Sequence, residues 1–135
     1  MSNTELTGGC RCGAVRYAIA GEVLHHALCH CRDCQMAAGA PMIAWLAVQE
    51  ESFRLTAGEP ASYTGTGNSI RQFCGTCGTP LFFRNADFLP GIVDVQSVTL
   101  DEPDRQAPQV HIQVAERRAW MAQAGALPEF ERFPG

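Results

Sequence analysis

The sequence predicts an all-β fold with a minor helix, and three features of its 135 residues support this prediction. Thirteen Gly and eight Pro divide the chain into short segments, and within these segments apolar residues alternate with polar ones. The seven Cys lie in closely spaced clusters, as in many small metal-binding proteins. A chain of this length can enclose a single hydrophobic core, and we therefore expect one domain over residues 1–135.

The N-terminal third of the chain contains signals for two strands and the helix. Residues 15–19 alternate apolar side chains with smaller or polar ones, which predicts a strand with one buried face. Residues 23–29 predict a second strand. Residues 32–38 are good helix formers, and Gly39 followed by Pro41 ends this helix after about two turns.

The remainder of the chain contains further strand-like segments. Residues 41–48 and 53–55 are expected to pair with each other. Residues 69–74 and 80–84 flank a turn at 74–78, which predicts a hairpin. The other expected elements are strands at residues 91–98 and 110–114 and one short helix between Glu116 and Pro128. The aromatic residues expected in the core are Trp45, Phe53, Phe73, Phe82 and Phe83.

The net charge limits the kinds of partner this chain is expected to bind, and the absence of targeting patterns limits the cellular compartment in which it is expected. The formal net charge is −4 and all ten basic residues are Arg, which disfavours nucleic acid or an anionic membrane as a partner. The first six residues lack the pattern of a secretory signal, and the longest uncharged apolar run, residues 39–48, is shorter than the ~20 residues that span a bilayer. We therefore expect a cytoplasmic protein whose thiols serve as metal ligands.

The first and last cysteine pairs are each suited to supply half of a tetrahedral site. Cys10 and Cys12 form C-x-C, and residues two apart in extended chain point to the same side. Cys74 and Cys77 form C-x-x-C, in which neighbouring glycines permit a tight turn. Together the pairs complete a Cys₄ zinc site, which is structural because it is closed. The alternatives for a lone C-x-x-C are a redox pair or core cysteines.

The middle cluster, Cys29, Cys31 and Cys34, offers three thiols. A zinc site with three protein ligands keeps a fourth position for water or substrate, which is the usual catalytic arrangement. In an extended segment, His30 points away from its cysteine neighbours. The alternative is a fourth protein ligand, for which the candidates are His25, His26, His111 and Asp33, although capping of the following helix is the better role for Asp33. Grouping Cys10 or Cys12 with this cluster instead would leave the C-x-x-C pair short of partners.

The stretches around the three clusters resemble one known family. Residues 8–17 (GGCRCGAVRY) resemble the opening of the glutathione-dependent formaldehyde-activating family, which includes relatives of centromere protein V. Residues 29–34 (CHCRDC), with Gly-Ala-Pro at 39–41, are similar to its second motif, and residues 73–81 (FCGTCGTPL) to its third. The chain end, with His111-Ile112, Trp120 and LPEF at 127–130, follows the closing pattern of the family. The resemblance therefore covers almost the whole chain.

The resemblance implies a β-tent-like fold of antiparallel sheets that carries two zinc ions. It implies a structural zinc held by Cys10, Cys12, Cys74 and Cys77, and a labile, catalytic zinc held by Cys29, Cys31 and Cys34. The named family activity joins glutathione and formaldehyde as S-hydroxymethylglutathione, but the resemblance does not fix the substrate of this chain. We expect its partners to be a small-molecule thiol such as glutathione and a small aldehyde.

The open three-cysteine site predicts a zinc-dependent carbon–sulfur lyase or synthase that acts on the adduct of a thiol with a small aldehyde. The candidates for binding the carboxylates of an anionic thiol are Arg11, Arg32, Arg71 and Arg84. His30 or His111 is the candidate for moving the proton. The alternative is a non-catalytic thiol-adduct carrier or interaction module with structural zinc. Redox sensing or metal storage is a third, weaker interpretation.

Overall fold

Ten β-strands form two sheets in the computed structural model, which describes residues 5–135. The small sheet has the order β1 (Leu6–Gly9), β2 (Arg16–Ile19) and β5 (Phe53–Ala57). The large sheet has the order β10 (Val110–Ile112), β3 (Val23–Cys29), β4 (Ile43–Gln49), β9 (Ile92–Gln96), β8 (Pro80–Asn85), β7 (Ser69–Phe73) and β6 (Ala61–Thr64). Neighbouring strands are antiparallel except β10, which runs parallel to β3. The expected all-β class with minor helix and mainly antiparallel sheets is confirmed.

The α-helix, α1 (Arg32–Ala38), is the predicted one. It ends at Gly39, whose φ of 64° lies in the left-handed region that glycine adopts without strain. The cap at its start differs from the prediction, because the Sγ of Cys31 accepts the hydrogen bond from the Cys34 backbone N–H at 3.3 Å. Asp33 lies one position inside the first turn and forms an ion pair with Arg71 instead.

The other helical segments are short 3₁₀ helices at Glu50–Ser52, Ser97–Thr99, Pro103–Arg105, Val114–Glu116 and Ala119–Ala126. The last of these is the short helix predicted before Pro128. Within residues 5–135, no helix is both long enough and apolar enough to cross a membrane.

The main core lies between the two sheets. Tyr17 of the small sheet meets Phe82 of the large sheet edge to face, with ring centroids 5.3 Å apart, and Phe53 contacts both rings. Val93 and Val95 of β9 are fully buried against this cluster. Ala18 is also buried, so the prediction of a single buried face for this strand is wrong at that position.

The predicted pairing of residues 41–48 with residues 53–55 is wrong. β4 lies at the centre of the large sheet between β3 and β9, whereas β5 pairs with β2 in the small sheet. The single 3₁₀ turn Glu50–Ser52 carries the chain from one sheet to the other instead of reversing it. Burial of the Phe53 ring against Tyr17 and Phe82 explains why the chain changes sheets here.

A second, smaller core lies on the opposite face of the large sheet. It contains Cys29, Cys34, Ile43 and Trp45, with Phe83 partly buried against them. The predicted hairpin, formed by β7 and β8 around the turn at residues 74–78, extends this face towards β6. The aromatic residues assigned to the core from sequence are buried or half-buried. This second face carries α1 and the middle cysteine cluster.

Candidate metal centres

Four cysteines from two distant parts of the chain converge beside the main core. All four Sγ atoms, from Cys10, Cys12, Cys74 and Cys77, lie within 4.8 Å of one another. The first pair follows β1, and the second occupies the turn between β7 and β8. The Sγ of Cys12 lies 3.7 Å from that of Cys10 and 3.7 Å from that of Cys74.

These distances suit a tetrahedral zinc site. With zinc–sulfur bonds of about 2.3 Å, the sulfur atoms of a ZnS₄ tetrahedron are separated by about 3.8 Å. Backbone N–H groups donate to two of the sulfurs, from Val15 to Cys10 at 3.2 Å and from Thr76 to Cys74 at 3.3 Å. Such donors stabilise thiolates, the form in which cysteine binds metal. The four residues therefore fit a closed zinc site, and we call them the four-cysteine cluster.

Thr79 supports the four-cysteine cluster from the end of the turn. Its Oγ1 lies 3.2 Å from the Sγ of Cys77 and accepts a hydrogen bond from the backbone N–H of Arg11 at 3.1 Å. Hydrogen bonding by Thr79 is the main cause that lowers the pKa of Cys77 to about 5. The side chain of Arg11 is exposed. Thr79 thus links the two halves of the cluster.

The Sγ atoms of the middle cysteines also lie within 4.8 Å of one another. Cys29 ends β3, Cys31 caps α1 and Cys34 lies in its first turn, so the start of one short helix brings all three together. The Sγ atoms of Cys29 and Cys34 are 3.8 Å apart, again the spacing of a zinc–thiolate site. Within residues 5–135, no fourth His, Cys, Asp or Glu ligand atom joins this group. We call these residues the three-cysteine cluster.

Cys34 has the most strongly polarised surroundings of this cluster. Its hydrogen bond with Cys29 is the main cause that lowers the pKa of Cys34 to about 5, and bonds from Trp45 and Arg71 contribute. The Nε1 of Trp45 donates to its Sγ at 3.4 Å, and Nη2 of Arg71 donates at 3.6 Å. The same bond with Cys34, together with burial, raises the pKa of Cys29. Cys34 is therefore the cysteine of this cluster that loses its proton at the lowest pH.

Arg71 is the arginine of the four candidates that contacts the three-cysteine cluster. Its Nε and Nη2 donate to Oδ2 of Asp33 at 3.2 and 2.6 Å, and its guanidinium lies 4.7 Å from the centre of the Phe83 ring. Only 15% of its side chain is exposed. Arg32 bonds instead to the side chain of Gln35, and Arg84 pairs with Glu50 at the other face of the large sheet.

The histidines do not join either cluster. His30 is buried, and its Nε2 lies 2.8 Å from Nδ1 of His111 where β3 meets β10. His26 is buried with Nε2 at 2.7 Å from Oγ of Ser97. Burial lowers the pKa of both His26 and His30. His30 is therefore enclosed between strands rather than open to a substrate.

Two cavities lie beside residues that surround the three-cysteine cluster, and Arg71 and Ala37 line both. The first, about 310 Å³, is mostly apolar and reaches Trp45, Phe73 and Pro80. The second, about 260 Å³, lies between α1 and the strands that carry Tyr63 and Arg71. A ligand in either cavity would lie within reach of the Arg71 guanidinium.

The sequence does not identify the roles of two residues near the three-cysteine cluster. Trp45 was assigned only to the core, and nothing in the sequence shows that its indole N–H meets a sulfur. Asp94 is half-buried in β9, where burial, followed by the charge of Cys34, raises its pKa to about 6. A single charged residue in the apolar run Ile-Val-Asp-Val was the signal that could have identified it.

A family model matches most of this chain, and a curated relative and a solved structure are similar to it. The family model described as glutathione-dependent formaldehyde-activating enzyme matches residues 5–116. An uncharacterized lyase of Schizosaccharomyces pombe is 29% identical over 114 residues, which cover 74% of this chain and 82% of that protein. A crystal structure of a Rhodobacter sphaeroides protein has the same fold, with a TM-score of 0.61 and 22% identity over 78% of this chain and 98% of that one.

The matched segment contains all seven cysteines and every strand described above. It ends just before the last 3₁₀ helix. The chain belongs to the glutathione-dependent formaldehyde-activating enzyme family.

Proposed function

We propose that this protein is a zinc-dependent enzyme that makes or breaks the carbon–sulfur bond in the adduct of a glutathione-type thiol with formaldehyde or another small aldehyde. The observation that carries the proposal is the three-cysteine cluster, in which three sulfurs converge without a fourth protein ligand among residues 5–135. The family description names glutathione and formaldehyde, and the yeast relative is called a lyase.

The two clusters would hold metal for different purposes. Cys10, Cys12, Cys74 and Cys77 would bind a structural zinc with every position filled. Cys29, Cys31 and Cys34 would bind a second, more labile zinc. When bound there, zinc supplies an open position at which a substrate thiol is held as its thiolate, the form that attacks an aldehyde.

The chain's own residues prepare this cluster for an anionic thiol. The hydrogen bond with Cys29, together with donation by Trp45 and Arg71 to the Sγ of Cys34, stabilises the deprotonated form of that sulfur. Arg71 binds Asp33 through Nε and Nη2, and among the described residues its Nη1 has no hydrogen-bond partner. This remaining donor points to Arg71 as the group that binds a substrate carboxylate.

The mostly apolar cavity beside Trp45 supplies the second requirement, an apolar surface beside the cluster. A volume of about 310 Å³ accommodates part of a small peptide or an aldehyde beside the cluster. Apolar walls lower the local dielectric constant and so strengthen the interaction of an anionic ligand with Arg71.

The decisive experiment measures adduct formation and breakdown by exchange NMR with ¹³C-formaldehyde and glutathione, relative to the spontaneous rate. We expect the zinc-loaded protein to accelerate both directions and Cys31→Ser to lose the acceleration. Serine is itself a good N-cap, so this substitution retains the start of α1 while removing one ligand. Glutathione binding without acceleration would support the non-catalytic carrier instead. The absence of both binding and acceleration would reject both functions.

A further inference from the structure

A row of directly opposed residues crosses six strands on the face that carries the three-cysteine cluster. Directly opposed residues on neighbouring strands point to the same face of a sheet. From β3 to β6 the row consists of His25, Ala47, Asp94, Phe83, Arg71 and Tyr63. Asp94 is the residue of this row whose side chain carries a carboxylate.

The row places Asp94 on the side of the sheet where Cys34 is held. Trp45 on β4 and Arg71 on β7 both donate to the Sγ of Cys34. β9 and β8 lie between those two strands, and on this face they present Asp94 and Phe83. Asp94 thus lies between the two strands that reach Cys34.

The surroundings of Asp94 do not stabilise a charged carboxylate. Its opposed neighbours are Ala47 and Phe83, and no hydrogen bond or ion pair to its side chain is present within residues 5–135. By contrast, Asp33 and Asp101 each pair with an arginine. An unpaired, half-buried carboxylate lowers the stability of a fold. A role in the reaction would explain why this residue is present despite that cost.

We propose that Asp94 is a catalytic acid–base residue that exchanges a proton with the aldehyde oxygen of the substrate. This inference rests on the function proposed above. During synthesis the thiolate electron pair forms the carbon–sulfur bond, the carbonyl π electrons move to oxygen, and that oxygen takes the proton of the Asp94 carboxyl. During cleavage the Asp94 carboxylate takes the hydroxyl proton, the carbonyl re-forms, and the carbon–sulfur bond breaks to release the thiolate.

The environment gives this carboxyl a proton affinity suited to the task. Burial is the main cause that raises the pKa of Asp94 to about 6, and a general acid or base is most effective when its pKa lies near the working pH. The titratable and charged groups on this face of the packed elements are Cys34 and Asp33 on α1, Arg71 on β7, and Cys29 and His25 on β3. β4 and β8 present the uncharged Ala47 and Phe83 in this row.

The test compares zinc-loaded wild type with Asp94→Asn, Asp94→Glu and the control Asp101→Asn, whose carboxylate pairs with Arg16 away from the cluster. We expect Asp94→Asn to retain the wild-type zinc content and to lose about a hundredfold or more in the cleavage rate. The rise of the wild-type cleavage rate through about pH 6 should disappear in this variant, Asp94→Glu should restore part of the rate, and Asp101→Asn should resemble wild type. A ¹³C NMR titration of the wild-type Asp94 carboxyl should show a midpoint near that pH.

The outcomes separate this inference from the proposed function. An active wild type with an equally active Asp94→Asn variant and an unchanged pH profile overturns this inference alone. Loss of zinc in Asp94→Asn assigns a structural role and also overturns it. A wild type without activity overturns the proposed function, and this inference with it.

Discussion

The Sγ atoms of Cys12 and Cys74 lie 3.7 Å apart although 62 positions separate the two residues in the sequence. Cys12 follows the first strand of the small sheet, and Cys74 begins the turn of a hairpin in the large sheet. A metal held between them would therefore link the two sheets at one end of the main core. Such a link would give the four-cysteine cluster a structural purpose that does not depend on catalysis.

Removal of one ligand from the four-cysteine cluster should lower the stability of the whole fold. We expect Cys77→Ser to lose one zinc and to lower the Tm by about 10 °C or more, because metal binding free energy contributes to folding. Thermal unfolding with zinc analysis measures both effects. Cys31→Ser is the matched control, and we expect a much smaller change in its Tm. Equal changes in the two variants would contradict the division into structural and catalytic clusters.

Arg71 should select thiols that carry a carboxylate. We expect Arg71→Ala to raise the KM for glutathione by about tenfold or more, because a charge-assisted hydrogen bond contributes about 1.5–3 kcal/mol. The KM for an uncharged thiol such as 2-mercaptoethanol should change little. Arg84→Ala, which removes an ion pair with Glu50, is the control. A similar increase for both thiols would show that Arg71 acts only on the shape of the site.

The charge of Asp94 should destabilise the native protein at neutral and alkaline pH. Its pKa is raised from 3.8 to about 6, so the native state binds more protons than the unfolded state between these values, and the penalty is complete above about pH 6. We expect Asp94→Asn to increase the free energy of unfolding by about 2–3 kcal/mol near pH 8. The gain should shrink as the pH falls below about 6, which denaturant titration at several pH values would show.

The pKa of Asp101 is shifted in the opposite direction to that of Asp94, which provides a comparison. Arg16, followed by Thr7, lowers the pKa of Asp101 by hydrogen bonding, so its charged form stabilises the fold above the unfolded pKa. Asp101→Asn should therefore lower the stability at neutral pH, and this loss should fade as acid protonates the wild-type carboxylate. A stability gain in both variants would contradict the distinct environments of the two carboxyls.

Two glycines with positive φ should respond differently to a methyl group. Gly39 has a φ of 64° with no atom within 4 Å of an added Cβ, whereas at Gly58, with a φ of 73°, the Cβ would overlap the carbonyl oxygen of Ala14. We expect Gly39→Ala to cost about 1 kcal/mol and Gly58→Ala about 3 kcal/mol or more. Denaturant unfolding of the zinc-loaded proteins measures the difference. Equal costs would indicate that the segment at Gly58 moves away from Ala14.

Local sequence signals predicted the elements that depend on neighbouring residues. The helix ended by Gly39 and the hairpin around residues 74–78 follow from turn chemistry and helix propensity, and both are present. β1 and β6 gave no clear signal, because Leu6–Gly9 and Ala61–Thr64 each contain only one large apolar or aromatic side chain. The partner of β5 depends on aromatic contacts with Tyr17 and Phe82, which sequence spacing does not reveal.

The candidate site shows the same division between local and long-range information. Cysteine spacing grouped the thiols into four and three, and the sulfur atoms converge in those groups. The contacts of Arg71 and Trp45 with Cys34 join residues 37 and 11 positions apart, and no motif encodes them. Asp33 was expected to cap α1, but Cys31 occupies the cap position and leaves Asp33 to pair with Arg71.

The most direct test of the account is the zinc content of the protein, with the rate of zinc release to a chelator measured separately for each ion. We predict two zinc ions per chain, one for each cluster, with one released rapidly and the other retained until the protein unfolds. Cys31→Ser should lack the rapidly released ion only. A protein that binds no zinc even after supplementation, or that releases both ions at the same rate, would contradict a closed structural site beside an open catalytic one.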